Sequence, residues 1–442
     1  MGGNVSGGDA APLRTALIVL DGLGDRPHPA TGDRSPVEAA ATPQLDALAA
    51  RGALGAVTVV GPGVAPESDA GVFALLGYDP RTDSPGRGVL EALGIGMDLA
   101  PGDVAFRLNF ATLDGDRNVL DPRVGRSLAT ADARALAEAL TGAGFADDES
   151  VACEFRATIG HRGVARLHPT DGRPLSPNVS NTDPFYEREG GLGQARTPAE
   201  PRLRRAEPLD ATPEAARTAA VVNRCSDGAV RVLAEQTVNA RRAMAGKPIA
   251  NGILLRNGGA APTPGHPASF AQRWGRPGVA ITEMPVERGI ARVLGLADRF
   301  VGPMGPDRSS SLRDRARTAR AALDEAPFVY LHLKGPDEPG HDGNALLKRD
   351  IIADLDASFF GPFLDGLDLT RTRIAITADH ATPCILRAHA DDPVPLLLAG
   401  AGVGEPGAGE PTTFSEASAR RGRLGERRGS DVLPLLFGAG PI

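Results

Sequence analysis

The chain of 442 residues predicts an α/β fold with a mostly parallel sheet and a smaller domain inserted into it. Three observations carry that expectation. Short, unbroken apolar runs are followed at once by acidic and histidine residues, the chain opens as strand, turn and helix, and its middle third changes character. An apolar run without alternation is buried on both faces, as parallel strands are. Open parallel sheets hold ligands beyond the carboxyl ends of their strands, so polar residues placed there are candidates for chemistry.

Thr15 to Leu20 is the first such run, and it stops at Asp21-Gly22-Leu23-Gly24. Thr42 to Ala53 then has helical spacing, with Thr42 suited to the cap and Pro43 to the first turn. Ser68, in Pro66-Glu67-Ser68-Asp69, reads as a helix N-cap, a position that also favours a bound phosphate. Ala105 to Leu113 predicts another strand, whereas His168 to Pro208 reads as extended and irregular. Gly278–Thr282, Phe328–Leu333, Arg373–Thr377 and Val394–Ala399 are four later buried runs. The expected organisation is a disordered N-terminus over 1–12, a core over 13–99 and 277–442, and an inserted substrate-binding domain over 100–276.

Composition narrows the function. Hydrophobic residues make up 41% and charged residues 23%, an ordinary globular balance, and the length favours two domains. No apolar run approaches the roughly 18 residues that span a bilayer, so no membrane is expected. A formal charge of -7 argues against nucleic acid, whose phosphates need a basic face. Cys153, Cys225 and Cys384 form no CxxC pattern and fit a reducing, cytoplasmic compartment.

Four of the eight histidines fall between 332 and 389. Asp337 and His341 lie in DEPGHDG, Asp379 and His380 in ADHATPC, and His389 in RAHADDP; Asp21 adds a carboxylate at the first strand end. A D-x-x-x-H spacing alone only places two polar groups on one helix face. His332, inside its strand, reads as a core residue or as support for a ligand. Together the mixed Asp/His set suits divalent zinc or manganese. Two ions would offset the charge that a phosphate monoester turns against a nucleophile, and one could activate a serine hydroxyl.

VLDGLGDRP, ESDA with LLGYDP, GRGVLEALG, DVAFRLNFATLD, GHRGV, VSNTDP, DEPGHDG, ADHATPC and HADDPVP occur in the order found in archaeal-type cofactor-independent phosphoglycerate mutases. The sequence resembles that family, part of the alkaline phosphatase superfamily, from about Leu13 to Leu436. The resemblance implies an alkaline-phosphatase-like three-layer core and an inserted α+β domain. It implies a cytoplasmic enzyme of glycolysis with two divalent ions and no requirement for 2,3-bisphosphoglycerate. One metal site would comprise Asp21, Ser68, Asp379 and His380, the other Asp337, His341 and His389. Ser68 would be the nucleophile, carrying the phosphoryl group while the glycerate reorients. Arg162, Arg256, Asp121, Arg123 and Arg288 would bind the small phosphorylated acid.

The chain departs from the family around the substrate. Gly-Ser-Asp-Thr-Ala-His reads Glu67-Ser68-Asp69-Ala70-Gly71-Val72, Asp-Arg-Arg reads Asp121-Pro122-Arg123, and a lysine is replaced by Arg288. The seven ligand positions are intact. The departures keep three outcomes open: mutase action on phosphoglycerate; a hydrolase or mutase for another phosphorylated or phosphonate acid; and a non-catalytic metal-binding interaction module.

Overall fold

The first apolar run becomes an inner strand, Arg14–Leu20, of an eight-stranded sheet. The computed structural model describes residues 13–145, 150–189, 192–196 and 198–440, so the expectation for 1–12 lies outside the described residues. Across the sheet the order is Ala297–Phe300, Gly278–Thr282, Phe328–Leu333, Arg14–Leu20, Thr372–Thr377, Val394–Gly400, Gly52–Thr58 and Gly425–Arg428. Arg14–Leu20 pairs in parallel with Phe328–Leu333 and with Thr372–Thr377, so Val19 lies beside both His332 and Thr377. Val394–Gly400 alone runs against its neighbours in this sheet. Gly278–Thr282, Phe328–Leu333 and Thr372–Thr377 are buried at every position. Burial on both faces requires helices above and below, which gives three layers.

Two local readings are corrected. The helix expected to reach Ala53 ends at Ala49, and Gly52–Thr58 is a strand. Pairing with Val394–Gly400 captures the segment, and Gly52 suits it because a Cβ there would lie 2.6 Å from the Leu398 carbonyl oxygen. Thr42 makes no side-chain cap bond; instead the Asp356 carboxylate accepts from the Gln44 and Leu45 amides at 3.1 and 2.9 Å. Tertiary context has overridden the local signal. The second correction concerns Ser68, which is the first residue of the helix Ser68–Leu75, while Glu67 occupies the cap. The serine hydroxyl is therefore not engaged in capping.

The chain divides into two compact units. One holds the residues up to Tyr78, Phe270–Thr282 and those from Leu296 onward; the other holds Asp79–Ser269 and Glu283–Gly295. The second unit thus begins about twenty residues earlier than expected and recovers a short piece after 276. The cause is the helix Arg87–Gly94, which packs against the helix Pro285–Leu294 and the strand Val104–Leu113. A Cβ at Gly94 would fall 1.8 Å from the Pro285 carbonyl oxygen, so only glycine permits that approach.

In the second unit Val104–Leu113 runs antiparallel between Arg162–Pro169 and Gly252–Ala260, with Val151–Ala157 outside and Val119–Asp121 at one end. The helices Thr130–Ala143 and Pro213–Ala234 contribute Leu136, Leu140, Val222 and Leu233 to its core. The stretch expected to be irregular carries a small hairpin, Tyr186–Glu189 with Leu192–Ala195. Two cysteines far apart in sequence meet here, with the Sγ atoms of Cys225 and Cys153 at 3.4 Å as free thiols.

Candidate metal centre and anion site

The three central strands of the large sheet deliver the first ligand candidates. Asp21 follows Arg14–Leu20, and its amide donates to the Leu333 carbonyl at 3.0 Å. Asp379 and His380 follow Thr372–Thr377, and the Asp379 Oδ1 accepts from the Gly22 amide at 3.1 Å. Asp337 opens the short helix Asp337–Asp342 after Phe328–Leu333 and places His341 one turn on. His389 lies in the loop before Val394–Gly400.

All seven residues expected from the sequence converge. The Ser68 Oγ lies 3.4 Å from Asp21 Oδ1 and 3.3 Å from His380 Nε2. His380 Nε2 is 3.3 Å from Asp379 Oδ2 and 3.7 Å from Asp21 Oδ1. Asp337 Oδ1 is 3.5 Å from the Nε2 atoms of both His341 and His389. The rings of His380 and His389 stack with centroids 3.7 Å apart, which joins the two groups into one centre.

The donor set fits divalent cations. His389 Nδ1 faces the Pro66 carbonyl at 2.8 Å, and His341 Nδ1 faces the Arg387 carbonyl at 3.2 Å. A carbonyl only accepts, so Nδ1 keeps its proton and Nε2 is left to bind an ion. Asp379 Oδ2 is buried and makes no hydrogen bond among the described residues. Burial pushes the carboxyls of Asp21, Asp337 and Asp379 up, but neighbouring groups hold each below its ordinary value: Lys334 and His332 for Asp21, His389 for Asp337, and the imidazoles of His380 and His332 for Asp379. Burial lowers His380 to about 4, leaving it neutral. Burial opposes a charge on His389 as well, but the Asp337 carboxylate raises it to about 9, so an ion bound there would displace its Nε2 proton. Ionised carboxylates supply the oxygen donors of a mixed nitrogen and oxygen site.

Two residues here were not selected from the sequence. His332, 1% exposed, places Nε2 at 3.5 Å from Asp21 Oδ1 and 3.4 Å from Asp379 Oδ2. Atoms from Asp21, His332 and Asp379 form one tight group, and those from Asp337, His380 and His389 another. His380 therefore lies between the two sets that the resemblance implied, and His332 stands beside the first. Lys334 Nζ is 3.3 Å from Asp21 Oδ2. Its signal was a lysine directly between a buried strand and the DEPGH motif.

One face of the sheet in the second unit gathers positive charge. In the antiparallel register Arg107 lies opposite Arg256, and Arg162 opposite Asn109, two residues along the same strand. Side chains two apart share a face, so Arg107, Arg162 and Arg256 line one side of the sheet. Like charges directly opposite destabilise a sheet. Glu91 compensates in part, with Oε1 at 3.2 Å from Arg87 Nε and 3.3 Å from Arg107 Nε. Arg256 donates to Asp183 and lies over the Tyr186 ring at 3.8 Å. Burial, then the charges of Arg162 and Arg123, push His161 down to about 3. Burial and neighbouring Arg87 also push the Arg107 guanidinium below its ordinary value. Around this face stand Arg87, Arg107, Arg123, Arg162 and Arg256 against Glu91 and Asp183, a cation excess that a bound anion relieves. Asp121 is engaged locally, accepting from the Arg123 and Gly125 amides at 2.7 Å each, and Arg288 sits half-buried in the first turn of Pro285–Leu294.

Comparison with known proteins bears on the whole chain. A family model described as 2,3-bisphosphoglycerate-independent phosphoglycerate mutase matches residues 49–239. A protein of that name from Aeropyrum pernix is 44% identical over 416 residues, covering 93% of this chain and 96% of the relative. One from Pyrococcus abyssi is 36% identical, covering 95% and 96%. A solved structure of a Pyrococcus horikoshii protein aligns with a TM-score of 0.76 at 30% identity, covering 98% and 99%. The cofactor-independent phosphoglycerate mutase of Thermoplasma acidophilum gives 0.61 at 30% identity, covering 97% and 100%.

Proposed function

The chain belongs to the 2,3-bisphosphoglycerate-independent phosphoglycerate mutases, and on that basis we propose that it interconverts 3-phosphoglycerate and 2-phosphoglycerate by passing the phosphoryl group through Ser68. The observation that carries this reading is the position of the Ser68 hydroxyl, within 3.4 Å of both Asp21 and His380, at the start of a helix. An N-terminal turn favours the negative charge of a phosphoserine.

Asp21, Ser68, Asp379 and His380 would hold one divalent ion, and Asp337, His341 and His389 the other, manganese or zinc in each case, with His332 beside the first. Such ions neutralise phosphoryl charge and lower the pKa of a coordinated hydroxyl. Ser68 Oγ attacks the phosphorus, the glycerate oxygen leaves, and the other glycerate hydroxyl later takes the group back. Lys334 adds a positive charge beside Asp21. Arg162 and Arg256, with Arg123 and Arg288, would hold the glycerate carboxylate and the phosphate, since a guanidinium grips either in two places, and Asp121 would accept from a glycerate hydroxyl. Arg107 and Arg87 extend that basic face.

Relatives that match over nearly the whole chain do not favour the hydrolase or the non-catalytic reading. The substituted Glu67, Ala70 and Val72 leave Ser68 and all seven ligand positions in place. No described helix is long and apolar enough to cross a membrane, in keeping with a cytoplasmic enzyme acting on a small metabolite. An enolase-coupled assay with 3-phosphoglycerate and manganese, without 2,3-bisphosphoglycerate, tests the proposal. Turnover is expected, and its absence in metal-replete protein would refute the reading.

A further inference from the structure

Three ligand-bearing loops close on one side chain that has no assigned role. Thr382 is fully buried, two residues beyond His380. Its hydroxyl donates to Asp337 Oδ1 at 2.7 Å, and the same oxygen lies 3.1 Å from His380 Nδ1. Glycines from two other motifs wall it in. A Cβ at Gly22 would fall 2.7 Å from Thr382 Oγ1, and one at Gly340 would fall 2.5 Å from the Thr382 carbonyl oxygen. The backbone is fixed as firmly: the Thr382 amide donates to the Gly24 carbonyl at 2.9 Å. Buried Lys348, paired with Asp25 at 2.8 Å, donates to the carbonyls of Thr382 and Gly24 at 2.9 and 3.2 Å.

A hydroxyl has one proton and two lone pairs. Asp337, acting as a ligand, is ionised and can only accept, so the Thr382 proton is committed to it. The Thr382 oxygen can then only accept from His380, which places the ring proton on Nδ1 and the lone pair on Nε2. That is the atom lying 3.3 Å from Ser68 Oγ. The same oxygen thus touches one ligand from each of the two proposed metal sets.

We infer that Thr382 is a positioning residue that sets the tautomer of His380 and the rotamer of Asp337, tying the two metal positions together. The inference rests on the metal-dependent reading above. Partners of this kind typically change metal affinity by about 10–100-fold.

Cobalt(II) titration of the metal-free full chain, followed by calorimetry and by the visible absorption of the ion, separates the two ideas. Wild-type protein should take up two ions; uptake of none would sink the metal reading itself. Thr382→Val, nearly isosteric but without the hydroxyl, should keep the wild-type circular dichroism and lose about 10–100-fold in cobalt affinity, with an altered absorption band. Thr382→Ser should restore both. Should the valine methyl unfold the loop, Thr382→Ala takes its place, because it adds no atom to the tight space. Wild-type affinity and spectrum in the hydroxyl-free variant would overturn the inference, as would a serine variant equally impaired.

Discussion

At the scale of single residues, the covalent step belongs to Ser68. Its hydroxyl is neither a cap nor a core packing group, so removing it changes chemistry and little else. Ser68→Ala is expected to lower kcat by at least about a thousandfold, since it removes the oxygen that takes up the phosphoryl group. With the metal removed from both proteins, its thermal midpoint should match wild type, which circular dichroism checks. Single residues are also where sequence reading was most uneven. Asp21, Asp379 and His380 could be found because each ends an unmistakable buried run. His332 was read only as a core or supporting residue, and Lys334 carried no expectation, because a polar residue in or beside a strand has no pattern of its own. His332 declares itself only through strand register, which sets it beside Val19 and within reach of two carboxylates.

At the scale of elements, strands and loops carry charge that must be answered locally. Arg107 sits mid-strand opposite Arg256, and one charge-assisted bond to an anion contributes about 1.5–3 kcal/mol. Arg107→Met should therefore raise KM for phosphoglycerate by about 10–100-fold while leaving metal content unchanged by elemental analysis. Glu416 answers a different need: its buried carboxyl accepts from the Asp25 amide at 3.1 Å and the Ser35 hydroxyl at 2.6 Å. Burial pushes it up to about 7 from an ordinary 4.5. A raised carboxyl favours folding while protonated, so its contribution is whole below pH 4.5 and fades as pH rises to about 7. Wild type should lose roughly 3 kcal/mol relative to Glu416→Gln across that window, read from denaturant unfolding at several pH values; parallel curves would exclude it. Five of the eight strands of the large sheet were legible as apolar runs, but in the second unit only Val104–Leu113 was. The end of the helix Pro43–Ala49 was misplaced because its expected tail is claimed by a sheet, and the aspartate that accepts from its first turn lies 312 residues away.

At the scale of the whole molecule, the division into two units was legible, but the boundary was not. The spacing of Arg87–Gly94 shows a helix with an apolar face, and nothing local says which core that face joins. Glycines at 88, 94 and 289 decide it by close approach. The unit with the large sheet gathers the buried carboxylates of Asp21 and Asp379 and the half-buried one of Asp337, whose mutual repulsion a pair of cations would relieve. Ligands that bind only the folded state stabilise it by about 2.7 kcal/mol at a hundred times Kd. Chelation should therefore lower Tm by several degrees and abolish turnover, and added manganese should restore both, as calorimetry and assay would record. The central claim is that phosphate passes between two hydroxyls of one acid without escaping to water. Phosphorus NMR of 3-phosphoglycerate with the manganese-loaded protein tests it directly. The account predicts growth of the 2-phosphoglycerate resonance to equilibrium with no inorganic phosphate; inorganic phosphate as the main product, or an unchanged spectrum, would contradict it.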